Sequence, residues 1–115
     1  NRILKKISSY HPKLGNILVL GLSYKENIGD LRESPSLKII NSMASKIKNK
    51  IYVHEPHVDM SKIKLNKNIQ PTALNNGIKK SDLIIILVAH KAFKNITKQL
   101  RRNHVLFDLC GLFND

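Results

Sequence analysis

The sequence predicts an α/β domain, a three-layer sandwich built on a mostly parallel, doubly wound sheet. Three observations lead there. The runs Ile17 to Leu20, ended by Gly21, and Leu83 to Val88, opened by Ser81-Asp82, are continuously apolar, as strands buried on both faces are. Between them Leu37, Ile40, Met43, Ala44 and Ile47 recur at helical spacing. Strand and helix patterns then alternate along the chain, the order expected of a parallel sheet covered on both sides.

Each element has a local cause. Ile3, Leu4, Ile7 and Tyr10 form a stripe that suits a short amphipathic helix, which Pro12 and Gly15 end. Ile17 to Leu20 is the first strand. A charged loop follows, and Ser34 with Pro35 supplies an N-cap hydroxyl and a first helical residue that needs no N–H. That helix should reach about Lys48, with Lys46, Lys48 and Lys50 complementing its dipole and Asn49 as its cap. Ile51 to His54 is the second strand, stopped by Pro56. Residues 57–68 lack periodicity and read as loop. Asn68 to Pro71 suits a short edge strand, and Ala73 to Lys80 a short helix weakened by Gly77. Leu83 to Val88 is the central strand, Lys91 to Arg102 a helix with Phe93, Ile96 and Leu100 inward, and Val105 to Asp108 the last strand. Right-handed crossovers in such a Rossmann-like sheet would set the tips after Leu20, Val53, Val88 and Phe107 along one edge, where ligands bind.

The loop after the first strand carries the most chemistry. Gly21, Tyr24, Lys25, Asp30, Arg32, Ser34 and Pro35 stand at the spacing Gly-x-x-(Tyr/Phe)-Lys-x-x-x-x-Asp-x-Arg-x-Ser-Pro. A lysine on a flexible stem at a strand tip can pair with a diphosphate, Tyr24 can stack or donate a hydrogen bond, and Arg32 can grip phosphate bidentately. Asp30 reads as a brace for the loop. This spacing resembles the signature opening the C-terminal domain of the UDP-glucose/GDP-mannose dehydrogenase family, and the resemblance runs from Ile17 to about Gly111.

The resemblance implies a single UDP-sugar-binding domain over residues 1–115, with residues 1–14 as the tail of a connecting helix plus linker. It implies Tyr24, Lys25 and Arg32 as substrate-binding residues and a UDP-sugar as ligand. The parent enzyme would be an NAD-dependent, dimeric UDP-sugar 6-dehydrogenase supplying uronic acids for surface polysaccharide. Leu87-Val88-Ala89-His90-Lys91-Ala92-Phe93 resembles the Leu-Val-x-His-x-x-Phe of members that oxidise UDP-N-acetylhexosamines, where members acting on UDP-glucose carry Thr-Glu-Trp. The resemblance therefore implies UDP-N-acetylmannosamine or UDP-N-acetylglucosamine as substrate. His90 reads either as a residue at the ligand mouth or as a simple helix-entry residue. The chain departs from the family at two places. Glu55-Pro56 replaces the commoner Asp-Pro, and Leu109 and Cys110 stand where a basic residue usually follows the last strand.

An acid after a second strand can hold a ribose hydroxyl, yet Gly21 is alone and no Gly-x-Gly-x-x-Gly is present, so no NAD site is expected in this chain. The family's catalytic cysteine belongs to an earlier segment. Cys110 reads as a structural thiol, and the chain by itself is expected to be inactive, needing the N-terminal and central domains. The five histidines show no metal-ligand spacing.

Bulk composition sets limits on function. At 115 residues with 42% hydrophobic and 24% charged, the chain suits one globular domain. No apolar run approaches the roughly 20 residues of a membrane span. A single cysteine and no signal-like N-terminus suit cytoplasm, and the missing initiator Met suggests a fragment. The net charge of +12 admits an alternative, a free-standing basic module binding nucleic acid or acidic polymer. Aromatic residues are only 5% and are not interleaved with the lysine clusters, which weighs against nucleic acid.

Overall fold

The computed structural model describes residues 15–22, 35–47, 49–62, 65–102 and 104–112. The expected N-terminal helix, the signature loop with Tyr24, Lys25, Asp30 and Arg32, and the Ser34 cap lie outside the described residues.

The strands are β1 (Ile17–Leu20), β2 (Ile51–His54), β3 (Ile69–Pro71), β4 (Leu83–Ile86) and β5 (Val105–Asp108). They form one parallel sheet in the order β3-β2-β1-β4-β5, with Ile17 opposite both Ile51 and Leu83. Every residue of β1 and β4 is buried, which is why their sequences show no polar alternation. β5 is half-buried throughout, as an edge strand is.

Two helices cover opposite faces, α1 (Pro35–Lys46) and α2 (Leu74–Lys80). On the first face Ile17, Val19, Ile51, Val53, Leu83 and Ile85 pack with Ile40, Met43, Ala44 and Ile47 of α1 and its end. On the second, Leu18, Leu20, Ile84 and Ile86 pack with Ile78, Phe93, Ile96 and Leu112. Each fully buried Leu, Ile or Phe contributes about 1.5–3 kcal/mol, so the two layers together hold the sheet.

Three expectations change. α1 ends at Lys46 rather than Lys48, and Asn49 is not its cap. Asn68 caps it instead, donating from Nδ2 to the carbonyls of Ala44, Ile47 and Asn49 at 3.1, 3.2 and 3.4 Å. Asn49 Nδ2 donates to Gly15 O, which ties the start of β1 to that of β2. The helix expected over Lys91 to Arg102 is two 3-10 turns, Lys91–Phe93 and Ile96–Gln99. Phe93 and Ile96 are three residues apart and both buried, which suits a three-residue turn, and Asn95 breaks the helix at φ −98°, ψ 6°. The central strand stops at Ile86, although Leu87 N–H still donates to Leu20 O.

Gly77 is a packing requirement rather than a weak spot. A Cβ there would meet Leu18 Cδ1 at 2.7 Å and Thr72 Cγ2 at 2.8 Å, and Leu18 is fully buried. In an open helix Gly→Ala adds about 1 kcal/mol. Here Gly77→Ala is expected to lower stability by about 1–3 kcal/mol through overpacking, read from urea unfolding of the two chains. A rise in the urea midpoint would contradict that contact.

Candidate functional site

β1 and β4 are neighbours whose following segments lead to opposite sides of the sheet, β1 toward β2 and β4 toward β5. Such a switch point opens a crevice at the carboxyl ends of the strands. Gly21 sits at that point with φ 94°. A Cβ on it would lie 2.7 Å from Val88 Cβ and 2.9 Å from Val88 N, so only glycine lets the two strand ends approach this closely. Gly21 N–H donates to His54 O at 3.0 Å, extending the ladder one step past β1.

The next residue, Leu22, is fully buried, and its N–H donates to Glu55 Oε1 at 2.8 Å. Glu55 follows β2 and is 3% exposed. Its Oε2 accepts the N–H of His57 at 2.9 Å. His90, which follows β4, is wholly buried, with Nε2 2.8 Å from Glu55 Oε1. An ionised carboxylate only accepts, so Nε2 is the donor. Because β1 lies between β2 and β4, this carboxylate reaches across the end of β1 to bind the far strand. Aromatic edges fix the imidazole. The His57 ring lies 4.6 Å away at 63°, and that of Phe93 5.4 Å away at 61°. His54, the last residue of β2, donates from Nδ1 to Thr72 O at 2.9 Å and packs edgewise on Phe93.

The structure therefore brings together two residues that the sequence treats separately. Glu55 is not available for a ribose hydroxyl, since its carboxylate is buried and holds three donors. His90 does stand at a helix entry, and it is wholly buried there. It occupies the N-cap position of the first 3-10 turn but makes no side-chain cap, its ring being engaged with Glu55. Thirty-five residues separate the two, and only their shared place at strand ends hinted at contact. Tyr24 and Lys25 follow Leu22 by two and three residues, so the chain enters the signature loop directly from the Glu55-bound amide.

At the end of β5, Asp108 Oδ1 accepts the N–H of Leu112 at 2.9 Å and the Cys110 thiol at 3.6 Å. Burial, then the neighbouring Asp108 charge, raises the Cys110 thiol from 9.0 to about 11. Leu109 is exposed where the family pattern has a cation. Among the described residues no group of three His, Cys, Asp or Glu could hold a metal ion. A cavity of about 290 Å³ lies at the opposite edge between Ile78, Lys79, Gln99, Arg101 and His104. The carbonyls of Ile78 and Lys79 take His104 Nε2 and Arg101 Nη2 there, so its polar groups cap the end of α2.

With this geometry in place, comparison with known proteins is decisive. The profile of the UDP-glucose/GDP-mannose dehydrogenase family, UDP binding domain, matches residues 18–115. The chain belongs to this family. It is 39% identical over 95 residues to a UDP-N-acetyl-D-mannosamine dehydrogenase of Campylobacter jejuni, covering 80% of this chain and 23% of that protein. An NDP-N-acetyl-D-galactosaminuronic acid dehydrogenase of Ralstonia solanacearum is 29% identical over 98 residues, covering 85% and 23%. The solved UDP-N-acetyl-mannosamine dehydrogenase of S. aureus shares the fold, with a TM-score of 0.77 and 23% identity over 99% of this chain and 27% of that one. The family domain thus spans about a quarter of the length of these relatives. Among the described residues no helix is long and apolar enough to cross a membrane.

The Cys110 environment makes the thiol a poor nucleophile. A thiol pushed up to about 11 has roughly a hundredfold less thiolate at a given pH than one at 9.0, and higher intrinsic nucleophilicity returns about a tenfold share. Alkylation at pH 8 should run roughly tenfold slower in the folded chain than in urea. The folded thiol holds its proton more tightly than the unfolded one. Its contribution to stability is therefore complete below about pH 9 and lost as pH rises through about 11. Equal alkylation rates in the two states would contradict this environment.

Proposed function

We propose that this chain is the C-terminal, UDP-sugar-binding part of an NAD-dependent UDP-sugar 6-dehydrogenase, with UDP-N-acetylmannosamine or a related UDP-N-acetylhexosamine as substrate. The observation that carries this reading is the β1–β4 switch point, where Glu55 holds the Leu22 amide two residues before Tyr24 in sequence. In this reading Tyr24, Lys25 and Arg32 hold the uridine diphosphate. Residues 1–14 are the tail of a connecting helix plus linker. The other domains of a cytoplasmic, dimeric parent enzyme supply NAD and the nucleophilic cysteine, and oxidise the sugar's C6 alcohol to a carboxylate. The names of the Campylobacter jejuni and Ralstonia solanacearum relatives support an N-acetylated nucleotide sugar.

In this reading the NAD site belongs to the other domains of the parent enzyme rather than to this chain. A dinucleotide site of this fold needs free backbone amides after β1 and an acid open to a ribose after β2. The Leu22 amide and the Glu55 carboxylate bind each other instead. This chain's part is to recognise and orient the nucleotide, and it carries no catalytic residue.

A second reading, a basic module for nucleic acid or acidic polymer, draws on the net charge of +12. It has in its favour that Asp59, Asp82 and Asp108 each accept a backbone N–H, from Ser61, Gly15 and Leu112. Calorimetric titration with UDP separates the two. The wild-type chain should bind UDP, and Lys25→Ala should weaken it about 10–100-fold, as expected for one charge-assisted hydrogen bond. Equal binding by both chains would remove Lys25 from the site. A salt-steep DNA affinity indifferent to UDP would favour the basic module.

A further inference from the structure

A separate feature lies at the other end of the sheet. All five strands begin at one level, with Ile17 opposite Ile51 and Leu83, Ile51 opposite Ile69, and Leu83 opposite Val105. At about 4.8 Å between neighbours, their starts form a level edge about 19 Å wide. Lys50, Lys67, Arg101 and Arg102 lead into the strands there, and Lys46, Lys79 and Lys80 end the two helices. All seven are exposed, and among the described residues none of them forms an ion pair. The described acids stand elsewhere or are occupied. Glu55 and Asp108 belong to the carboxyl edge and Asp59 to the segment after β2, while Asp82 accepts the Gly15 N–H. We infer that this amino edge is a docking face for an anionic lipid bilayer, which holds the domain with its carboxyl edge turned to solvent.

Charge alone would suit several polyanions, and the shape and chemistry of the edge choose among them. A folded acidic protein needs an apolar core to its interface. Leu109, the exposed large hydrophobic residue among those described, instead lies past the end of β5. A single strand of nucleic acid needs exposed rings on which bases stack. Tyr52 is only 7% exposed, with Lys50 and Lys80 over its ring at 5.8 and 5.6 Å. A duplex is a cylinder and meets a level edge along one line, whereas a bilayer meets every cation of it together. Lysine supplies five of the seven charges, and a point charge on a flexible stem suits mobile headgroups better than arginine's fixed fork does. Bare helix-end carbonyls would repel headgroup phosphates, but here they are covered. Asn68 takes those of Ala44 and Ile47, and His104 and Arg101 take those of Ile78 and Lys79. Adsorption of this kind is electrostatic, each cation near the surface raising affinity about fivefold.

The test is sedimentation of the 115-residue chain with vesicles, in the absence of UDP, so its outcome is separate from the nucleotide reading. One set of vesicles is phosphatidylcholine and the other an equimolar mixture of phosphatidylcholine and phosphatidylserine. The wild type should bind the mixed vesicles and not the neutral ones. It should leave them as salt rises from about 0.1 M to about 1 M and the Debye length falls from about 10 Å to about 3 Å. Lys67→Glu with Arg102→Glu, at the starts of β3 and β5, should lower the affinity by about tenfold or more. Lys38→Glu with Lys94→Glu changes the net charge equally but away from the edge, in the first turn of α1 and four residues past His90. That pair should bind nearly as the wild type does. If the edge pair does not fold by circular dichroism, Lys67→Gln with Arg102→Gln decides, again by loss of affinity. A wild-type chain that ignores the mixed vesicles would overturn the inference. Equal loss from the edge and control pairs would overturn it too, since net charge would then be acting rather than this edge. Tighter binding of short duplex DNA than of vesicles, through the same two residues, would give the edge to nucleic acid instead.

Discussion

One buried carboxylate governs the functional edge of this domain. In a parallel sheet the strand ends emerge side by side, and nothing in the ladder itself dictates how the segments beyond them are arranged. Glu55 supplies that arrangement by accepting donors from the ends of β1, β2 and β4 at once. Gly21 lets the end of β1 lie against Val88, where any Cβ would clash. Burial raises the stakes. With so little water access, each of the three donors would be costly to leave unpaired, so the arrangement is held as a set.

The opposite edge is organised by ordinary capping. Asn68 gathers the last carbonyls of α1, His104 and Arg101 bond those of α2, and Asp82 accepts the Gly15 N–H at 2.8 Å. Lys46, Lys79 and Lys80 sit in the last turns of the helices, where cations complement the dipoles. Lys50 and Lys80 also lie 5.8 and 5.6 Å from the Tyr52 ring centre. Much of the positive charge at that edge thus has a structural use. This division leaves the carboxyl edge, with its switch point, as the place for ligand chemistry.

Most of the layered architecture was legible from short-range pattern. Ile17–Leu20 and Leu83–Ile86 are apolar without alternation because both their faces are covered, and α1 is amphipathic because one face is not. What pattern could not show was long-range pairing. Asn68 caps a helix more than twenty residues upstream, and Gly77 looked like a helix weakener because its reason, Leu18, lies on another element. The turns after His90 read as one helix because Phe93, Ile96 and Leu100 also fit helical spacing. Family resemblance located the signature loop and flagged both Glu55 and His90 as notable. Their contact belongs to the sheet order, which puts β1 between them, and no local signal encodes that.

The account stands on the Leu22 amide being locked to Glu55 beneath the strand ends. Native-state hydrogen exchange of the wild-type chain, resolved by residue, reads that bond directly. The account predicts that the Leu22 N–H exchanges as slowly as those of Val19 and Leu20 within β1. Exchange at the rate of an open loop amide, while β1 itself stays protected, would contradict it.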